Sequence, residues 1–481
     1  MRYRASTMVG GAHGFYDRSM NRLSTLSSLV SGLLVALLLC FAPVTSAQVE
    51  QTQQPEDMDV TGEPPPRQFQ SQQDNTVDWG PRKGIWRGEI ELPDAKVLSF
   101  NFVVRFYRDE QNLPYWDIWL RNGVETLPAK LENNNPSYTI TFPDTDARIE
   151  ATINSSNTAL GGEYIYTRAN SEGENVEYRL PFSAQVSDTR RFEWIEPEDP
   201  GEEAEPATLA ERWSVTFDRR KGPAVAELHT LPDGINVYGT VMTPTGDDGH
   251  LAGTFQNGRL RLSRFTGGSG LLYDGTLEAD GTLIGTFRSL AHHAEGFTAS
   301  PDGDAALPNL FELTRWNDGI EFADLSFRDT RGQEVNLSEI APQGSPRLIY
   351  VMGTWCHNCA DATRYLTSVY EQYHDQGLEI VGLAFESPKG FEDQARAVEK
   401  YIQSKGVPFQ ILVAGNRNKA EATERLGALD TVAAYPTVVF VDASGNITGV
   451  HQGFVGPAAP TRHAQLRSEF TERIESMLAG Q

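Results

Sequence analysis

The stretch Arg347-Leu-Ile-Tyr-Val-Met-Gly-Thr-Trp-Cys-His-Asn-Cys359 decides how the C-terminal part of this 481-residue chain is read. It opens on an apolar run of strand length, the mark of a strand buried on both faces. From Cys356 to about Tyr373 the apolar spacing becomes helical, through Leu366, Val369, Tyr370 and Tyr373. Cys356 and Cys359 therefore lie where a buried strand gives way to a helix. The first helical turn has unpaired N–H groups and the positive end of the macrodipole. A thiolate is stabilised there, so Cys356 is expected to be the exposed nucleophile. Cys359, one turn further in, can reach back to resolve a mixed disulfide. His357 sits between them and, as a cation, would favour the thiolate further.

Other uses of a cysteine pair fit less well. Zinc wants four ligands, and the chain has no second cysteine pair. A c-type haem wants His directly after the second cysteine, where Ala360 stands. A copper site would need a distant third ligand such as His451. Peroxiredoxins carry Thr or Ser three residues before the reactive cysteine; here that place is Gly353. An inert cystine closing so short a loop would stabilise almost nothing.

Working outward, Leu378 to Phe385 reads as a second buried strand and Phe391 to Lys405 as an amphipathic helix. Thr437 to Asp442 and Asn446 to Phe454 are strands flanking the turn Ala443-Ser-Gly445, and Arg462 to Leu478 is a closing helix. Such alternation predicts a partly parallel sheet covered by helices. Three phrases carry a resemblance: Trp355-Cys-His-Asn-Cys359; the strand-turn-strand Phe322 to Gly332 with Leu337-Ser338; and Tyr435-Pro436-Thr437. Together they resemble the TlpA/ResA-type thiol-disulfide oxidoreductases of the thioredoxin fold, over about a third of the chain.

The resemblance implies a redox-active Cys356–Cys359 disulfide, with no cofactor beyond the dithiol and no metal. It implies a cis bond before Pro436, with Tyr435 offering its backbone to a substrate peptide as a strand edge does. Trp355, His357 and Asn358 would line the same substrate site. The implied partners are protein disulfides and a membrane electron donor of a reducing thiol pathway. Many relatives carry Glu three residues after the second cysteine, where this chain has Ala362. Asp361 is adjacent but points elsewhere on a helix, and Arg364 stands near the place of a frequent proline. Glu386, at the end of the second buried strand, is the substitute acid–base carboxylate, set against a solvated loop carboxylate.

The region before this domain has a β texture. Phe100, Phe102, Val104 and Phe106 alternate, as do Tyr138, Ile140 and Phe142, and Tyr178, Leu180 and Phe182. A second β-rich segment begins near Trp213, with tight hairpins predicted at Asn257-Gly258 and Asp280-Gly281. The two segments read as a degenerate repeat, each opening on a tryptophan strand (Trp86, Trp213) and closing on a similar phrase (Pro181-Phe-Ser-Ala, Gly296-Phe-Thr-Ala). The expected fold class is multidomain: two antiparallel β-domains, barrel or sandwich, followed by an α/β thioredoxin-like domain. One larger β-sandwich of both parts is the alternative. No metal cluster stands out; His292-His293 reads as a solvated pair. Gly239 to Thr243 and Gly246 to His250 resemble β-domains fused to some exported redoxins, and architecture alone points to a docking surface for a partner protein.

At the N-terminus, Arg18 and Arg22 precede the apolar run Leu29 to Ala42, and Thr45-Ser-Ala47 follows it. Positive head, short apolar core and small-residue exit make a signal peptide, cleaved after Ala47 and starting at Met1 or Met20. An uncleaved membrane anchor is the alternative. Cys40 lies in that core, and Leu39 before it argues against acylation. The expected divisions are a signal peptide at 1–47, a disordered spacer at 48–78 and β-domains at 79–190 and 212–305. An acidic linker fills 191–211, and the redoxin domain is 306–481. Of three cysteines in the chain, the exported part keeps two, too few for a disulfide framework. The net charge of −24 argues against nucleic-acid partners. Composition says nothing of oligomeric state.

The expected activity is that of an exported, periplasmic or envelope disulfide reductase working through Cys356 and Cys359. The alternatives are a thiol peroxidase, or a binding protein that acts through its β-domains.

Overall fold

Aromatic and β-branched residues at every second position make the strands of the N-terminal half, because successive side chains on a strand point to opposite faces. The computed structural model of the protein describes residues 80–480 apart from 110, 135, 144, 170–174, 188, 196–207, 318, 321–323, 343 and 388. The signal peptide with Cys40, the spacer, the acidic run 196–206 and Phe322 lie outside the described residues.

The first barrel is built from β1 (Gly84–Leu92), β2 (Lys96–Arg108), β3 (Pro114–Asn122) and β4 (Glu125–Asn134), then β5 (Ser137–Thr141), β6 (Arg148–Ile153), β7 (Ala159–Ala169) and β8 (Asn175–Val186). Each pairs antiparallel with the next, and β1 pairs with β8 to close the ring. Most of the predicted inward set is buried: Phe100, Phe102, Val104, Phe106, Tyr138, Ile140, Phe142 and Phe182, with Trp86 among them, whereas Tyr178 and Leu180 pack on this core only partly buried.

The second barrel follows with β9 (Arg212–Phe217), β10 (Ala224–Thr230), β11 (Asn236–Thr243) and the two-residue β12 (Gly246–Asp247). Its other strands are β13 (Leu251–Gln256), β14 (Arg259–Phe265), β15 (Gly270–Leu277), β16 (Leu283–Ser289) and β17 (His293–Pro301). The β9–β17 and β10–β11 pairings close it, and β12 hangs on β11 as a short hairpin outside the ring. The two barrels repeat one device: the Trp86 indole N–H donates to the Arg82 carbonyl, and the Trp213 indole N–H to that of Ala210. Two barrels, rather than one larger sandwich, are the architecture. Asn257 and Gly258 both have positive φ, as the predicted tight turn requires. At Asp280-Gly281 only Gly281 does. Gly281 N–H bonds back to Glu278 and Glu278 N–H to Thr282, a three-residue loop with one left-handed residue.

The barrels are joined through Phe265. It ends β14 of the second barrel, yet its ring packs in the core of the first, with centroids 4.3 Å from Phe100, 5.3 Å from Tyr164 and 5.7 Å from Phe142. Beside it the buried Arg191 donates to Ser263 Oγ (2.7 Å), the Arg121 carbonyl (2.7 Å) and Asn122 Oδ1 (2.9 Å).

The C-terminal domain carries β18 (Ser326–Arg328), β19 (Glu334–Asn336), β20 (Arg347–Met352), α1 (His357–Tyr373), β21 (Glu379–Glu386) and α2 (Phe391–Lys405). It continues with β22 (Gln410–Asn416), α3 (Lys419–Leu426), β23 (Thr437–Val441), β24 (Ile447–Gln452) and α4 (Pro460–Ala479). The seven-stranded sheet has the order β19-β18-β22-β21-β20-β23-β24, with β20, β21 and β22 parallel and the others antiparallel to their neighbours. The apolar runs fill its core: Leu348, Tyr350, Leu383, Phe385 and Phe440 are fully enclosed.

Candidate thiol–disulfide site

β20 ends at Met352, and four residues later Cys356 forms the N-cap of α1. Its Sγ accepts the Cys359 backbone N–H at 3.2 Å, so the sulfur itself satisfies one of the orphan donors of the helix start. Both cysteines are free thiols. The Cys356 thiol donates to the Tyr435 carbonyl at 3.3 Å. Cys356 is not the exposed residue expected: it is 7% exposed, closed in by the Tyr435 backbone and by Trp355, whose ring meets Tyr435 edge-on at 5.5 Å. Cys359 is wholly enclosed, and burial together with the neighbouring Cys356 sulfur holds its thiol well above the ordinary range. Beneath it Tyr350 Oη donates to the Cys359 carbonyl at 2.7 Å, and Tyr401 Oη bonds Thr363 Oγ1 at 2.8 Å.

The Tyr435–Pro436 bond is cis, as the resemblance implies. Pro436 C=O accepts the Gly453 N–H at 2.8 Å, tying the proline loop to the turn after β24. Trp355 is 42% exposed, its indole N–H donates to Phe385 C=O at 2.9 Å, and the Arg417 guanidinium lies 5.4 Å from its ring centre. Lys419 reaches in from α3 and donates to the Ala433 carbonyl; burial lowers its ammonium, opposed by the nearby Cys356 sulfur.

Glu386 is buried, not a solvated loop carboxylate. One oxygen accepts the Thr354 N–H at 2.9 Å and the other the Thr354 hydroxyl at 2.7 Å. It thus grips the loop two residues before Cys356. Burial, opposed only in part by those bonds and by Arg417, pushes its carboxyl up to about 7. Ionising a carboxyl displaced from 4.5 to about 7 costs about 3 kcal/mol, at about 1.4 kcal/mol per pH unit. Between these values the folded protein holds the proton and the unfolded chain does not. The contribution of Glu386 to stability therefore falls as pH rises from 4.5 to about 7 and is level on either side. Glu386→Gln should remove this contribution and stabilise the protein at pH 8 by about 2 kcal/mol, after allowing for one lost hydrogen bond. The difference between unfolding midpoints at pH 5 and pH 8 should be smaller in the variant than in the native protein, in which Asp247 adds its own share; an equal difference would assign the effect elsewhere.

The other two residues predicted to meet substrate, His357 and Asn358, face the second barrel. His357 Nε2 lies 2.9 Å from the Asp247 carbonyl, and Asn358 Nδ2 donates to the Thr245 carbonyl at 3.5 Å. Asp247 is buried, accepting from Gly456 N, from Gly249 N at 2.7 Å and from Thr240 Oγ1 at 3.3 Å. Burial and the facing Asp361 push its carboxyl up to about 6. Asp361 does point away from the sulfurs, pairing with Arg364 at 2.9 Å. The phrase Gly246 to His250 thus docks on this chain's own cysteine helix. Nothing local to Asp247 signals that; the strand turn Gly246-Asp247 reads as any polar hairpin.

The histidines are structural. His292 contacts Arg168 Nη1 at 2.5 Å and is pushed down to about 4, chiefly by burial; His293 pairs with Glu295 at 2.9 Å. Both are partly buried and paired with protein side chains rather than simply solvated. His451 is packed against Phe311 and Phe470, and burial holds it down to about 3, a neutral core side chain. Among the described residues no group of three or more His, Cys, Asp or Glu could hold a metal ion.

Comparison with known proteins agrees with this geometry. The AhpC/TSA family model matches residues 319–450. The thiol-disulfide oxidoreductase ResA of Bacillus subtilis is 25% identical over 137 residues, which are 28% of this chain and 68% of that protein. The thiol:disulfide interchange protein DsbE of Pasteurella multocida is 28% identical over 116 residues, 24% of this chain and 55% of its own length. Among solved structures, a thioredoxin-family thiol:disulfide interchange protein from Chlorobium tepidum aligns over 32% of this chain and 92% of its own, at 19% identity and a TM-score of 0.24. Over its C-terminal part these findings support a TlpA/ResA-like member of the thioredoxin-fold family.

Proposed function

We propose that the protein is an exported reductase of protein disulfides. The Cys356 thiolate attacks one sulfur of a substrate disulfide and releases the other as a thiol. Cys359 gives up its proton and attacks Cys356 Sγ, freeing the second substrate thiol and leaving a Cys356–Cys359 disulfide. The substrate gains two electrons and two protons, and the enzyme loses them. A membrane-bound dithiol donor then returns them. The observation that carries this reading is the unequal placement of the pair: Cys356 caps a helix start, whereas Cys359 is sealed in and kept protonated until a mixed disulfide forms. Trp355, Tyr435 and Pro436 are the substrate contacts in this scheme, and Glu386 is a positioning residue acting through Thr354. The signal-peptide pattern supports export to the periplasm or envelope.

Cys359→Ser should accumulate a mixed disulfide at Cys356, seen as an added mass that dithiothreitol removes. Absence of such an adduct with every disulfide offered would sink the mechanism. A reduction potential nearer about −270 mV than about −120 mV is expected; the latter would reverse the direction. The match to the AhpC/TSA model favours peroxidase chemistry as the second reading. Peroxide turnover that survives Cys359→Ser would establish it.

A further inference from the structure

The rim around Cys356 has three parts: the α1 start with His357 and Asn358, the Tyr435–Pro436 loop, and the turn after β24 from Gly453 to Gly456. The hairpin joining β11 to β12 lies across the first and third. Its backbone carbonyls do the binding. Pro244 C=O accepts from Gln452 Nε2 at 3.1 Å, Thr245 C=O from Asn358 Nδ2 at 3.5 Å, and Asp247 C=O meets His357 Nε2 at 2.9 Å. The Asp247 carboxylate takes the Gly456 N–H. Gly246 has φ +135°, and a Cβ there would overlap Asn358 Nδ2 and the Phe454 carbonyl, so the chain can approach this closely only as glycine.

These are the contacts an extended substrate chain would make: backbone acceptors set against side-chain and backbone donors beside a reactive sulfur. Among the described residues the hairpin makes no hydrogen bond to the second part of the rim, where Tyr435 and Pro436 are themselves buried and only Trp355, 42% exposed, opens to solvent at the edge. The hairpin tip, Pro244 to Asp247, meets the redoxin domain through these hydrogen bonds, with Met242 packed beside it on Val455 and Ala459, and since β12 pairs with β11 alone the tip can lift without opening the barrel.

We propose that Gly246 and Asp247 are specificity-determining residues. By seating the hairpin on the cysteine helix they admit small disulfides past Trp355 and make protein disulfides wait until the hairpin is displaced. This rests on the reductase reading above. The β-domain is then the part of the enzyme that sorts substrates by bulk.

Two variants test it. Asp247→Ala removes the carboxylate that Gly456, Gly249 and Thr240 donate to, and Gly246→Val drives a side chain into Asn358. Each should raise kcat/KM for insulin about tenfold and leave that for glutathione disulfide within about twofold. Equal changes for both substrates, or none for insulin, would overturn the proposal. If either variant fails to fold, hydrogen exchange on Cys359→Ser decides. The Gly456 amide should stay protected in the glutathione adduct and lose protection in the insulin adduct; protection kept in both overturns it. Exchange with neither disulfide would sink the reductase reading and this one together, whereas exchange with unchanged selectivity sinks this one alone.

Discussion

Cys356→Ser should bring disulfide exchange down to the uncatalysed rate while the protein stays folded. A serine hydroxyl does not ionise near neutral pH, so the attacking anion is lost outright. The structural job of the residue survives the change, because serine is a favoured N-cap and its oxygen can accept the Cys359 N–H that the sulfur accepts now. Loss of turnover with an unshifted unfolding midpoint is thus the expected pair of results. Residual turnover close to that of the native protein would place the chemistry away from this pair. A fall in stability equal to the fall in activity would remove the distinction between the sulfur's two roles.

Phe265→Ala should cost about 3–5 kcal/mol, among the largest effects available to a single substitution here. The ring is fully buried and meets three aromatic side chains of a barrel to which its own strand does not belong. Truncation leaves a cavity in the first barrel that the second barrel cannot collapse to fill. The neighbouring contacts, Asn122 Oδ1 with Phe265 N–H at 3.0 Å and Arg264 with Glu125, would be loosened with it. Denaturant unfolding followed by tryptophan fluorescence reads the loss, with the first barrel opening early. A change below about 1 kcal/mol would mean the barrels do not depend on this ring.

The strands, the cysteine helix and the proline loop were legible because each is written in consecutive residues. Alternation at Phe100 to Phe106 needs no partner to be recognised, and the Trp355 to Cys359 phrase carries its own helix start. What escaped was set by meetings between distant segments. Asp247 lies about a hundred residues before His357, and only the folded chain brings them together. Phe265 reads as an ordinary strand residue of one barrel and turns out to fill the other. Cys356 was expected in the open because the helix start alone was considered; the Tyr435 loop that closes over it lies 79 residues further along the chain, ahead of the neighbouring strand β23. The Asp280-Gly281 turn differs from its prediction for a local reason. Its loop is three residues long, and a loop of that length needs one left-handed residue, not two.

In both barrels the first strand pairs with the last, β1 with β8 and β9 with β17. The chain therefore leaves each barrel close to where it entered. For the gene this makes a barrel a detour: a stretch that can be inserted, duplicated or excised while the ends on either side keep their spacing. A redoxin could acquire one such module, then a second copy of it, with its own sheet left intact, and be altered at the cysteine helix through one hairpin of the newcomer.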